Sequence, residues 1–233
     1  GTLQPGQTVG VFEDVLKRLR DKLHYLYSDQ DRFWLDTKPN LRREMESRHQ
    51  NIDKLTLHDE LKRRVSHVFG RNSIFAGVHV FTNSVDVPDD YGFGPRLVVL
   101  SPSEGYTKID GNNAINAAEK ILAFRGDQPR QKRNRLIFFA PDTDIVGRLN
   151  EAGRTYLAWK EIVNDINEGK LNLDLFQAKL AKKNTESAEK MLQQMVRESY
   201  KWILWTGIFL EGLAIALSFF ADNIDKLFGG KTK

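Results

Sequence analysis

The segments RLVVL (residues 96–100) and LIFFA (residues 136–140) decide the fold that the sequence predicts. Both are continuous apolar runs next to a proline, a pattern typical of strands that are buried on both faces. Between them, apolar residues recur at the spacing of a helix that lies on a sheet, namely Ala114, Ala117, Ala118, Ile121 and Leu122. Strand, helix and strand within about forty residues predict a βαβ unit with parallel strands and a right-handed crossover.

A basic amphipathic helix and a hairpin are predicted upstream, between Val11 and Asp36. Leucines recur there at spacings of three and four, which indicates the apolar stripe of a packed helix: Leu16, Leu19, Leu23 and Leu26. The aromatic runs HYLY (24–27) and RFWL (32–35) flank turn-forming residues and predict two paired strands. A helix followed directly by a hairpin is typical of the end of a winged helix. We therefore expect the chain to be part of a larger protein.

Two long helices and an apolar segment are predicted downstream. Apolar residues recur along residues 145–166 and, after a break at Gly169, along residues 174–199, so that the two helices form a long hairpin. Trp202–Ala221 then contains one charged residue, Glu211, and predicts an apolar helix. This helix either packs in a soluble protein or spans a bilayer, where Glu211 near the centre costs roughly 2–3 kcal/mol.

The predicted fold class is α/β: a small, mostly parallel sheet with flanking helices, preceded by the end of a winged helix and followed by a long helical hairpin. Four consecutive segments are predicted. They are a linker and partial winged helix (1–40), a small α/β domain (41–142), the helical hairpin (143–200), and an apolar C-terminal helix with a flexible tail (201–233).

Composition bounds the chemistry. The 233 residues carry a formal net charge of +4, a mild basic excess that permits an acidic partner without requiring one. The chain has no cysteine, which excludes disulfides, thiol nucleophiles and cysteine-ligated metals. A cytoplasmic location is predicted, with membrane association as the alternative.

No catalytic residue and no metal ligand is predicted. The string Gly230-Lys231-Thr232 resembles the end of a phosphate-binding loop, but Asp225 stands where that loop needs glycine. Asp86, Asp89 and Asp90 are carboxylates in one loop that are either magnesium ligands or, more simply, solvated turn residues.

Basic residues give the strongest functional signal. They crowd the first helix and the connection into the strand at Leu136. Contacts of such residues with phosphates give affinity that salt weakens steeply. The predicted nucleic-acid-binding residues are Lys17, Arg18, Arg20, Arg130, Lys132, Arg133 and Arg135. The alternative is a solvated charged face, because acidic residues interleave with these cations.

Four strings carry a resemblance to a known family: YLYSDQDRFWLDTKPNL (25–41), VHVFTNSVDVPDDYGFGPRLVVL (78–100), NRLIFFAPD (134–142) and YLAWKEI (156–162). In this order and spacing they resemble the C-terminal part of the prokaryotic domain-of-unknown-function 499 family of defence-associated P-loop, AAA-like ATPases. The resemblance implies that ATP and magnesium bind in a core N-terminal to this region. No family catalytic residue maps onto this chain, and no cofactor is expected in it.

The sequence and the resemblance together predict a non-catalytic accessory region of a larger ATPase of phage defence. It would couple the ATPase to DNA, RNA or a partner subunit. The alternative is a membrane-tethered or scaffold module that is anchored through Trp202–Ala221.

Overall fold

The computed structural model describes residues 9–20, 23, 25–29, 32–35, 40–70, 74–90, 92, 94–108, 112–205 and 217–218. Within these residues the helices are α1 (Val9–Arg20), α2 (Leu41–Asn51), α3 (Lys54–Phe69), α4 (Asn113–Ala123), α5 (Thr143–Asn167) and α6 (Leu175–Ser199). The described strands are β1 (Leu26–Asp29), β2 (Arg32–Leu35), β3 (Gly77–Val80), β4 (Arg96–Val99), β5 (Phe124–Arg125), β6 (Gln128–Pro129), β7 (Leu136–Pro141), β8 (Tyr200–Trp205) and β9 (Leu217–Ser218). The predicted α/β class is confirmed.

The chain divides into two compact units. The described residues of the first unit fall within 1–52 and 154–189, and those of the second within 53–153 and 190–233. The predicted segments follow the chain in order, whereas each unit is built from two stretches that are distant in sequence.

The second unit contains a mixed sheet whose described strands lie in the order β3-β4-β7-β8-β9. β3, β4 and β7 are parallel, with Val80 opposite Val99 and Val99 opposite Phe139. β8 is antiparallel to β7, and β9 is antiparallel to β8. The predicted βαβ unit is therefore confirmed in its order and in its parallel pairing, with α4 between β4 and β7.

Helices cover both faces of this sheet. Phe138 lies on the face that α4 covers, in a cluster with Ala118 and Leu122. Phe139 lies on the opposite face, where its ring meets Phe69 of α3 edge-on at 5.2 Å between centroids. Because both faces are buried, β7 has no polar face, which explains its continuous apolar run.

The predicted apolar C-terminal helix is wrong at its described positions. Trp202 lies in β8, which pairs with β7, and Leu217 and Ser218 form β9 beside it. Burial alternates along β8, with Tyr200, Trp202 and Leu204 buried, because side chains point to opposite faces of a strand. Residues 206–216 and 219–233, including Gly230-Lys231-Thr232, lie outside the described residues. No helix in the described part of the chain is both long and apolar enough to cross a membrane.

The first unit contains α1, the β1–β2 hairpin, α2 and the adjoining ends of α5 and α6. The predicted helix and hairpin are confirmed, with β1 and β2 antiparallel. The predicted long helical hairpin is also confirmed. Gly169 ends α5 with φ at 71°, a left-handed conformation that glycine adopts without steric cost.

An ion-pair cluster joins α2 to α5 within the first unit. Arg48 lies 2.8 Å from the Glu44 carboxylate and 2.7 Å from that of Asp165. Burial by itself lowers the pKa of Arg48, but the two carboxylates outweigh it and raise that pKa. Arg154 of α5 donates to the carbonyl of Ile52 at 2.6 Å.

We predict that Tyr200→Phe destabilises the protein by about 1–2 kcal/mol, because the buried Leu100 carbonyl loses its donor. The Tyr200 hydroxyl donates to that carbonyl at 2.9 Å, and Tyr200 is completely buried. Urea unfolding of the full chain measures the change. Tyr25→Phe is the control, since Tyr25 is exposed; an equal loss in both variants would contradict the prediction.

Burial raises the pKa of Tyr200 well above its usual value. The folded state therefore holds this proton more tightly than the unfolded state does, so that stability falls once the pH exceeds about 10. We predict that Tyr200→Phe makes the stability less dependent on pH between pH 9 and pH 11 than in the wild type, as measured by thermal unfolding. Identical slopes for both proteins would contradict this.

Candidate functional site

Arg130, one of the predicted phosphate contacts, has a structural role in the second unit. It is only 3% exposed. Its guanidinium donates to four backbone carbonyls, those of Ile121 at 2.8 Å, Pro88 at 2.9 Å, Val87 at 3.0 Å and Ser84 at 3.2 Å. Burial lowers the pKa of Arg130, and the nearby Asp89 carboxylate partly offsets that effect. Arg130 thus joins the 84–88 loop to the C-terminal end of α4.

Two carboxylates of the loop that contains Asp86, Asp89 and Asp90 also have structural partners. Asp89 accepts from the backbone N–H groups of Gln131 at 2.7 Å and Lys132 at 2.8 Å, and Asp90 pairs with Arg96 at 2.9 Å. Burial raises the pKa of Asp89, but these N–H groups outweigh it and hold that pKa below its usual value. Among the described residues, no group of three His, Asp or Glu side chains could hold a metal ion.

The other cations of this connection are partly engaged. Arg133 is exposed, and its Nε donates to the Arg130 carbonyl at 3.2 Å. Arg135 is half-buried and donates to the carbonyl of Gly92. Lys132 is half-buried as well. The structure therefore brings these residues together, but it directs two of their side chains at the backbone of the same unit.

The predicted cations of α1 lie in the first unit. Lys17 and Arg18 are exposed, and Arg18 pairs with Asp14 at 2.8 Å. An ion pair this exposed contributes about 0–1 kcal/mol to stability, so Arg18 can leave Asp14 for another anion at little cost. Arg20 is the last residue of α1.

One apolar face of α1 is exposed, whereas Phe12 and Leu16 of the same helix are half-buried. Val11 is 60% exposed, Val15 46% and Leu19 38%, although the three recur every four residues on one face of the helix. Leu23 is exposed too, and within the predicted stripe Leu26 is the residue that is buried. The predicted stripe therefore shares only Leu19 with the exposed face of α1, and its Leu16 is half-buried.

The β1–β2 hairpin adds further exposed apolar side chains to the first unit. Leu35 is 73% exposed, and Tyr25 and Trp34 are about half exposed. We call these three residues, together with Val11, Val15, Leu19 and Leu23, the N-terminal apolar surface. Trp34 and Leu35 follow each other in β2 and therefore lie on opposite faces of the hairpin, whereas Val11, Val15 and Leu19 share one face of α1 and indicate a place of contact.

A second feature, which the sequence did not suggest, is an open cleft at the carboxyl ends of β3 and β4. Its volume is about 310 Å³. Its lining comes from four separate parts of the second unit, namely His58 and Lys62 of α3, Phe81, Thr82 and Asn83 after β3, Val98 to Ser101 and Glu104 around the end of β4, and Ile121 of α4. In open α/β sheets, ligands bind outside this edge.

Phe81 has a strained backbone at this cleft. Its φ of 49° is left-handed, which costs a bulky residue about 1–3 kcal/mol. Its N–H continues the ladder by donating to the carbonyl of Val99 at 3.0 Å, and its ring lies 5.4 Å from that of His58. The strain turns the chain sharply after β3 and places Thr82 and Asn83 at the cleft.

No family model, curated protein or solved structure matches this chain. The resemblance to the domain-of-unknown-function 499 family therefore stays a prediction that rests on the strings given above.

We predict that Arg130→Met destabilises the protein by about 2–4 kcal/mol, because it leaves buried carbonyls without donors. Thermal and urea unfolding of the full chain measure the loss. Arg125→Met is the matched control, since Arg125 is exposed and donates to one carbonyl, that of Val85. Equal stability of Arg130→Met and the wild type would refute the structural role.

The lowered pKa of Asp89 predicts a pH dependence of stability. Its contribution is complete above the unfolded-state pKa of about 3.9 and is lost as the pH falls through the lower folded-state value. Asp89→Asn should therefore be less stable than the wild type at pH 7, and the gap should narrow below pH 3. Asp86→Asn, on the same loop but exposed, should change stability little. A gap that is constant with pH would contradict the assignment.

Proposed function

We propose that this chain is a non-catalytic accessory module of a larger ATPase, and that its N-terminal apolar surface contacts the part of the assembly that carries the P-loop core. The observation that carries the proposal is the exposure of Val11, Val15 and Leu19 along one face of α1. Helices present anchors at this spacing when they lay an apolar face into a groove of another protein.

The hairpin strengthens this interpretation. Trp34 and Tyr25 are large amphipathic side chains, a type that is enriched at the energetic centres of protein interfaces. Leu35 adds an exposed aliphatic side chain. Burying such side chains is favourable by about 25 cal/mol per Å² of apolar area, so a protein partner gains free energy by covering them.

A protein partner is favoured over nucleic acid by the state of the predicted phosphate contacts. Arg130 is buried, and the guanidinium groups of Arg133 and Arg135 donate to backbone carbonyls. Lys17 and Arg18 are exposed on α1, where Arg18 pairs with Asp14. The link to an ATPase rests on the family resemblance, not on any comparison.

The test measures binding of the full chain to the P-loop ATPase core of its parent protein by calorimetry. The double variant Val15→Asp/Leu19→Asp should weaken binding about 30-fold, because two interface anchors of about 1 kcal/mol each are replaced by charges. Circular dichroism checks that α1 is retained. The matched control is Leu55→Asp, since Leu55 is 70% exposed on α3 in the second unit. No binding by the wild type, or equal weakening by the control, would refute the proposal.

A parallel experiment tests nucleic acid as the partner. Fluorescence anisotropy follows labelled duplex and single-stranded DNA between 50 and 200 mM salt. We expect weak binding that Lys17→Glu/Arg18→Glu hardly changes. Tight binding that falls steeply with salt and is abolished by this variant would replace the protein partner by nucleic acid, because such a slope reports neutralised phosphates.

A further inference from the structure

We propose that the cleft at the carboxyl ends of β3 and β4 binds a small phosphate monoester that carries a planar ring. About 310 Å³ is accessible within it, which lies at the lower end of the range for small-molecule sites. This proposal is independent of the partner surface described above, because every residue of the cleft belongs to the second unit.

The donor side chains that line the cleft support the assignment of a phosphate group to its ligand. Lys62 lines the cleft and forms no ion pair with any residue that the structure describes, and the Asn83 side chain makes no hydrogen bond within the same set. His58 lies one helical turn before Lys62, so both side chains are on the same face of α3. An ammonium group and an amide N–H₂ are common donors to phosphate oxygens.

The acidic residue of the cleft is held by its own loop. Glu104 accepts from the backbone N–H and the hydroxyl of Ser101, both at 2.9 Å, as part of a capping box. The Thr82 hydroxyl donates to the Val80 carbonyl at 3.1 Å, which leaves its oxygen as an acceptor. The cleft thus has donors at Lys62 and Asn83, and it has one carboxylate that is already engaged.

The ring pair supports the planar group. The rings of His58 and Phe81 lie 5.4 Å apart at an interplanar angle of 46°. Stacking against such rings is tolerant of the identity of the planar partner. The left-handed backbone of Phe81 fixes the position of this ring beside Thr82 and Asn83.

The test titrates the isotopically labelled full chain with phenyl phosphate and, separately, with inorganic phosphate, at constant ionic strength and pH. We expect saturable amide shifts in the nuclear magnetic resonance spectrum at Thr82, Asn83 and Ser101, with phenyl phosphate binding more tightly than phosphate. Lys62→Met should weaken phenyl phosphate about tenfold, as expected for loss of one charge-assisted hydrogen bond. Lys54→Met should not, since Lys54 lies on the same helix but does not line the cleft.

Glu104→Gln gives a second variant with the opposite sign. Glutamine retains a capping-box side chain at this position while removing the charge, so phosphate should bind more tightly. Absence of saturable shifts at the cleft would overturn the proposal, as would equal weakening by Lys54→Met. Phenyl phosphate that binds no more tightly than inorganic phosphate would overturn the assignment of the rings to the ligand.

Discussion

The pairing of β7 with a neighbour on each side is the interaction on which the second unit depends. β4 pairs with it in parallel, and β8 pairs with it in the antiparallel sense after returning from the long helices. Tyr200, the first residue of β8, packs against the rings of Phe69 and Phe139 and donates to the carbonyl of Leu100. One buried side chain thus ties together α3, β7, the end of β4 and the start of β8.

A run of cations in the sequence does not show which of them face solvent. Arg130 belongs to a run of cations that predicted a phosphate-binding surface, yet three of its four partners are the carbonyls of Ser84, Val87 and Pro88, more than forty residues earlier in the chain. An arginine with five N–H donors can satisfy several carbonyls at a loop crossing as readily as it can bind a phosphate. The sequence around the arginine is the same for either role. Only the position of the 84–88 loop shows that Arg130 binds carbonyls.

The N-terminal apolar surface and the cleft differ in how much of each the sequence predicts. The leucine spacing predicted an amphipathic first helix, but the structure was needed to show that the exposed apolar face is that of Val11, Val15 and Leu19. The cleft joins α3 with the ends of β3 and β4, segments that are separated by tens of residues. Its one local signal is Phe81, but no sequence pattern marks a phenylalanine for a left-handed backbone.

The sequence by itself determined the elements whose signal is periodic and long: the βαβ unit and the two helices of the hairpin. Periodicity reports which side of an element is buried, and that is a local property. Only the tertiary structure decided that Tyr200–Trp205 is a strand. The backbone groups of an apolar stretch can find their hydrogen-bond partners within a helix or on a neighbouring strand, and here the edge of β7 supplies them. It also decided that Arg130 is internal and that Val11, Val15 and Leu19 of α1 are exposed, since burial depends on what lies opposite each side chain.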